Sequence, residues 1–160
     1  MSLKEIKDLI NTHLPEMVRE VISTTTPATF LVDSSRIVEL CSFLRTEKQL
    51  YFDSLSCLTG LDNGPEKGIM EVVYTLYSIP YNYSLNIRCE LDRTLPQIPS
   101  VSTVWRTADW HEREAFDLFG INFLNHPDLR RILLPTDWEG FPLLKDYSHQ
   151  EKYHGITVKY

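Results

Sequence analysis

Residues 69–91, IMEVVYTLYSIPYNYSLNIRCEL, decide the fold. In the second half, Tyr83, Leu85, Ile87, Cys89 and Leu91 alternate with Ser84, Asn86, Arg88 and Glu90. That period of two belongs to a strand with one face on a core and the other in solvent. In the first half, Met70, Val72, Tyr74 and Leu76 line one face of a strand running from Ile69 to about Ile79. Pro80-Tyr81-Asn82 between them carries turn chemistry, and strands joined by so short a link are antiparallel. A third strand candidate spans Leu50 to Gly60, cut off from the second by the turn residues Asp62-Asn63-Gly64-Pro65.

Upstream of the strands, Ser2 with Glu5 forms a capping box, and Leu3, Ile6, Leu9 and Ile10 share one face of a helix that Leu14-Pro15 ends near His13. Met17–Ser23 fits either helical or strand spacing; with the Thr24–Pro27 turn and the strand Thr29–Val32 it reads best as a hairpin. Asp33-Ser34-Ser35 offers N-cap oxygens to a second helix, whose Ile37, Leu40, Cys41 and Leu44 fall at i, i+3, i+4, i+7 up to Thr46. Helix, two strands, helix, three strands make an α+β domain: two layers, both helices on one face of a mixed, largely antiparallel sheet. The organisation expected is a domain over 1–120 and an extended C-terminal arm over 121–160.

The composition of the 160 residues, 42% hydrophobic and 24% charged, is that of a folded chain large enough for a core. A net charge of −6 argues against a general nucleic-acid binder, whose phosphate contacts need a basic surface. No run approaches the ~20 apolar residues that span a bilayer, and the N-terminus lacks a signal peptide's apolar region. Cys41, Cys57 and Cys89 lie far apart without a Cys-x-x-Cys pair, the pattern of reduced, mostly buried thiols rather than zinc or iron–sulfur ligands. The expectation is an intracellular, soluble, cofactor-poor protein.

After Leu95–Pro99, which stiffens the exit from the sheet, a short helix is expected over Val101–Arg106. A longer one follows with Asp109 and Glu112 as its capping box and Gly120 as its stop. Trp110, Phe116 and Phe119 would pack inward, and Arg113 would pair with Asp117 at i, i+4. Beyond Gly120 no period is sustained: Asn125-His126-Pro127-Asp128, Leu134-Pro135, Gly140-Phe141-Pro142 and Asp146-Tyr147 form an arm of aromatics, prolines and charges. Trp138, Phe141 and the arginines are residue types that anchor interfaces.

Catalytic readings are weaker. Glu112 and Glu114 stand two apart on a helix and point apart, so they do not make a general acid/base pair. His111, His126 and Asp128 lack a third and fourth metal ligand at convincing spacing. Neither a phosphate-binding glycine loop nor a Gly-x-Ser-x-Gly elbow occurs.

Glu112-Arg113-Glu114, Asp117-Leu118-Phe119-Gly120-Ile121, His126–Leu133, Asp137-Trp138-Glu139-Gly140 and Pro142–Tyr147 strongly resemble the C subunit of bacterial NADH:quinone oxidoreductase, the respiratory complex I family. Leu144 stands where that family usually carries arginine. The resemblance implies a peripheral-arm subunit on the cytoplasmic side of the inner membrane, with no redox centre or catalytic residue of its own. NADH, quinone, FMN and the iron–sulfur clusters belong to other subunits. It also implies an arm that wraps the D subunit, with B and I subunits nearby. Arg113, Glu114, Asp117, His126, Pro127, Arg130, Arg131, Trp138, Phe141, Lys145, Asp146 and Tyr147 are the expected partner-interface residues. Two other readings stay open: the equivalent subunit of a membrane-bound hydrogenase or ferredoxin-linked quinone reductase, and a stand-alone hydrolase using Glu112, His126 and Asp128.

Overall fold

The computed structural model describes residues 2–157. Helix α1 (Leu3–His13) begins at the Ser2 cap, with the capping box to Glu5 formed in both directions, and buries Ile6 and Ile10. Strands β1 (Val18–Ile22) and β2 (Thr29–Val32) pair as the antiparallel hairpin expected. Asp33 then accepts from the Ser35 N–H and starts a 3-10 turn, Ser34–Arg36, that leads into α2 (Ile37–Thr46). Strands β3 (Ser54–Asp62), β4 (Ile69–Ser78) and β5 (Tyr83–Asp92) form the antiparallel meander that the alternation required.

The five strands lie in the order β1-β2-β5-β4-β3, and the β2–β5 pairing is the one parallel contact in an otherwise antiparallel sheet. One face of β5 is Leu85, Ile87, Cys89 and Leu91, all buried in the core with Ile10, Leu40 and Leu44 of the helices. Its other face keeps Ser84 and Glu90 exposed, so the helices cover a single side. The fold is therefore the two-layer α+β arrangement expected. Cys41 and Cys89 are buried free thiols, whereas Cys57, on the uncovered face, is exposed.

After the sheet the structure departs from expectation. Residues 101–107 form successive turns instead of a helix. The Trp105 indole N–H donates to the Phe52 carbonyl (3.1 Å), and the Val101 N–H donates to Glu112 (2.7 Å). These long-range ties fix a path that a regular helix would not follow. The ribbon of β6 (Gln97–Pro99) and β7 (Asn122–Leu124), paired in parallel, is too short to show a period in the sequence. Between them runs α3 (Ala108–Phe119), which lies against β3. Gly60 permits that approach: a Cβ there would stand 2.8 Å from Ile121 Cδ1 and 2.9 Å from Phe119 Cδ2. The last described residues form a small hairpin, β8 (Lys152–Tyr153) with β9 (Ile156–Thr157).

Candidate partner-binding site

Helix α3 carries two fully buried carboxylates, Glu112 and Asp117. Five residues apart, they sit about 140° from each other around the helix and serve different neighbours. Asp117 faces the arm. Its Oδ2 accepts from three successive backbone N–H groups, Ile132 (3.0 Å), Leu133 (2.7 Å) and Leu134 (2.9 Å). Its Oδ1 takes a charged hydrogen bond from Arg131 Nη1 at 2.8 Å. Burial by itself would raise this carboxyl, but the Leu134 N–H, the Arg131 guanidinium and the Leu133 and Ile132 N–H groups outweigh it and hold it below the ordinary aspartate value. Arg131 reaches onward to the Trp138 and Gly140 carbonyls (3.0 and 2.9 Å), so one anchored ion pair shapes the arm from 131 to 140.

A second carboxylate does the same further along. Asp62, at the end of β3, binds Arg93 through both oxygens (2.8 and 3.0 Å) and accepts the Lys145 N–H at 2.8 Å. Arg93 also bonds Asp146. The paired guanidinium keeps the Asp62 carboxyl well below its usual range. Phe141 meanwhile lies over Gly120, whose left-handed φ of 75° closes α3 and whose missing Cβ leaves the room: a methyl would come 2.6 Å from Phe141 Cε2.

Glu112 faces the other way, toward the ends of β6 and β7. Parallel pairing carries Ser100 and His126 to the same end of that ribbon, where the Ser100 N–H also bonds the Leu124 carbonyl (2.9 Å). Glu112 accepts from Ser100 Oγ (2.6 Å) and from the Val101 N–H (2.7 Å), with His126 Nε2 3.8 Å away. Burial pushes this carboxyl up to about 7, against the lowering effect of those two donors and with a further push from nearby Asp109.

Several expected roles are corrected by this geometry. Asp109 and Glu112 do not cap α3: Thr107 is the N-cap residue, its hydroxyl donating to the Leu55 carbonyl rather than capping the helix, and Glu112 turns into the body to serve Ser100 and Val101 instead. Arg113 does not pair with Asp117, whose oxygens are already filled; it donates to the Arg130 and Arg131 carbonyls (3.3 and 3.4 Å) and lies over Trp110. Trp110 is 65% exposed rather than inward, while Phe116 and Phe119 do pack on the core. Asp117 and the His126 side chain are buried and face this chain rather than a partner.

Of the other expected interface residues, Glu114, Pro127, Arg130, Lys145 and Asp146 are exposed, and Arg131, Trp138, Phe141 and Tyr147 are half-buried. The Trp138 indole donates to the Tyr147 hydroxyl at 3.2 Å. Leu144, where arginine was expected from the resemblance, packs partly against the core. Sequence reading missed Ser100, Asp62 and Arg93. The Asp62-Asn63-Gly64 turn was legible, and the Gly64 N–H indeed donates to Asp62, but the second pairing across to Arg93 was not.

Among the described residues no group of three or more His, Cys, Asp and Glu side chains is placed to hold a metal ion. Glu112 and His126 do meet, as a hydrolytic reading would need. Both side chains are fully buried, however, and the Asp128 carboxylate turns away to Arg130 (2.9 Å). What remains accessible is a fixed, irregular surface around Trp110, Pro127, Arg130 and Leu133.

Residues 30–153 match the family described as respiratory-chain NADH dehydrogenase, 30 Kd subunit. The chain belongs to that family. The NADH-quinone oxidoreductase C subunit of Chlorobium phaeobacteroides is 45% identical over 138 residues, covering 85% of this chain and 82% of that protein. Its counterpart in Chloroherpeton thalassium is 49% identical over 119 residues, 74% of this chain, which spans about half (49%) of that longer relative. Among solved structures, Nqo5 in its trypsin-resistant fragment superposes with a TM-score of 0.54 at 31% identity, over 64% of this chain and 82% of that one. A chain of the archaeal membrane-bound sulfane sulfur reductase shares the fold, with a TM-score of 0.70 at 24% identity over 91% of this chain and 85% of its own. No helix among the described residues of this family member is long and apolar enough to cross a membrane.

Proposed function

We propose that the chain is a non-redox subunit of a proton-translocating NADH:quinone oxidoreductase, and that it holds partner subunits together near the quinone module. The observation that supports this is the surface fixed by Asp117. Three N–H groups and Arg131 tie the irregular segment inward while Arg130 and Leu133 stay 70% and 61% exposed in side chain and residue respectively. Such a surface presents side chains without the ordering cost of about 1–2 kcal/mol per residue that a free segment would meet on docking. The partners in this reading are chiefly the D subunit, with B and I adjacent, on the cytoplasmic face of the inner membrane. Electrons pass through FMN and iron–sulfur centres in those other chains, and this chain contributes contact rather than chemistry.

Affinity capture of the tagged chain from native membranes tests it. NADH:quinone oxidoreductase subunits should co-purify, and Arg130→Ala should weaken their retention without altering the isolated fold. Recovery with hydrogenase or ferredoxin-linked subunits would instead favour the second reading, with which the fold shared with a sulfane sulfur reductase is compatible. A partner-free monomer with hydrolytic activity would overturn both.

A further inference from the structure

Glu112 is a buried carboxyl that partner binding does not use. Among the described residues no lysine or arginine makes an ion pair with it; its one basic neighbour is His126. Its Oε2 receives Ser100 Oγ, and Ser100 Oγ lies 2.7 Å from Ser102 Oγ with either hydroxyl able to donate. Ser102 opens on a cleft of ≈ 290 Å³ lined also by Thr103, Arg106, Asp109, Asn125 and Pro127. A chain of two hydroxyls therefore runs from the surface to a carboxyl that solvent does not touch.

We propose that Glu112 is a proton-binding site, loaded from this cleft through Ser102 and Ser100, whose occupancy sets how the body grips the segment at His126. In the loaded state Oε2–H donates to Ser100 Oγ, the Ser100 hydroxyl turns to donate to Ser102, and Oε1 still accepts from the Val101 N–H. Protonation reverses the direction of the serine chain and costs no hydrogen bond. On unloading, one proton leaves through Ser102 to water in the cleft, and both oxygens accept.

His126 reads the difference. Its Nδ1 accepts the Asp128 N–H (3.0 Å), so the ring proton is on Nε2, which donates to the Asp109 carbonyl at 3.2 Å. Asp109 Oδ1 lies 3.6 Å from the same nitrogen, buried and without a hydrogen bond. With Glu112 neutral, the N–H belongs to Asp109; with Glu112 ionised, a full negative charge 3.8 Å away competes for it. The tie between the arm and the first turn of α3 thus weakens when the proton leaves. The other titratable groups facing Glu112 are Cys41 of α2 and Tyr74 of β4. Burial raises both well above their usual values, so they stay neutral and leave the proton to Glu112.

Infrared and nitrogen NMR titration of the full chain from about pH 5 to about pH 9 tests this, with Glu112→Gln and Ser100→Ala beside the unmodified protein. A protonated-carboxyl absorption should titrate out near neutrality and be absent from Glu112→Gln. The His126 Nε2 resonance should show a step with the same midpoint, and lose that step in Glu112→Gln. Ser100→Ala removes a donor to the ionised form and should raise the midpoint by about one pH unit. A carboxyl already ionised near the ordinary glutamate value, or a His126 response unchanged in Glu112→Gln, overturns the proposal. Should Glu112→Gln fail to fold, a midpoint unmoved by Ser100→Ala overturns it equally.

Discussion

Asp117 and Glu112 are both fully buried on one three-turn helix, yet their proton affinities are moved in opposite directions. Asp117 has an arginine and three N–H donors, and its charge is kept. Glu112 has a hydroxyl, one N–H and no arginine, and burial pushes its proton affinity up to about 7. Burial by itself therefore says nothing about whether a carboxylate is ionised; the number and charge of its donors decide. The first carboxylate is an anchor for the arm, and the second changes its charge near neutral pH.

The largest expected effect comes from removing the anchor. Asp117→Ala strips the Arg131 guanidinium of its carboxylate and three N–H groups of their acceptor, and a broken buried pair costs about 3–5 kcal/mol. Denaturant unfolding should show that loss, and limited proteolysis should open new cleavage within 128–147. An arm as resistant as before would mean that the Asp62–Arg93 tie alone suffices.

Next comes the pH dependence of Glu112. Its folded affinity for the proton is raised, so the folded chain holds the proton more tightly than the unfolded one. Its stabilising contribution is complete below the ordinary glutamate value near 4.5 and is lost as pH rises through about 7. The span corresponds to roughly 3 kcal/mol. Glu112→Gln mimics the protonated form, so its stability should match the unmodified protein at acid pH and exceed it above neutrality. Parallel pH–stability curves for the two proteins would place the carboxyl's proton affinity at its ordinary value.

Gly120→Ala should cost about 1–3 kcal/mol, since it combines a left-handed φ with a methyl driven into Phe141. The change in melting temperature measures it, and Phe141→Ala in the same background should recover the steric part. The smallest effect belongs to Arg130→Ala. That side chain is exposed and pairs with Asp128 on the surface, so the isolated chain should lose no more than about 0.5 kcal/mol. A larger drop would show that Arg130, like Arg131, serves the chain's own fold.

The sheet was legible because β4 and β5 bury one face each, and an alternating pattern survives any tertiary context in which one face meets a core. The Ser2–Glu5 box and the Asp33 cap were legible for a similar reason: both bonds are local. Asp109 and Glu112 have the same spacing as a capping box but failed as one, since Glu112 found Ser100 and Val101, distant in sequence and brought close by the β6–β7 ribbon. The Asp117–Arg113 pairing failed likewise, because an i, i+4 neighbour competes poorly with an arginine and three N–H groups arriving together from the arm. Trp110 looked like a core residue and lies on the surface, where its indole supports Arg113.

The stretch 110–147 carried enough specific residues to place the chain in its family, and the alternation over 69–91 together with the two upstream amphipathic helices was enough to indicate a two-layer α+β fold. Local periodicity and motif identity need no knowledge of where the chain goes next. Which carboxylate keeps its charge, which arginine of the Arg130-Arg131 pair turns inward, and how the arm lies on the body were settled in three dimensions. Each depends on donors that meet from separate parts of the chain, and their summed effect on a buried charge exists only once the packing that excludes water is complete.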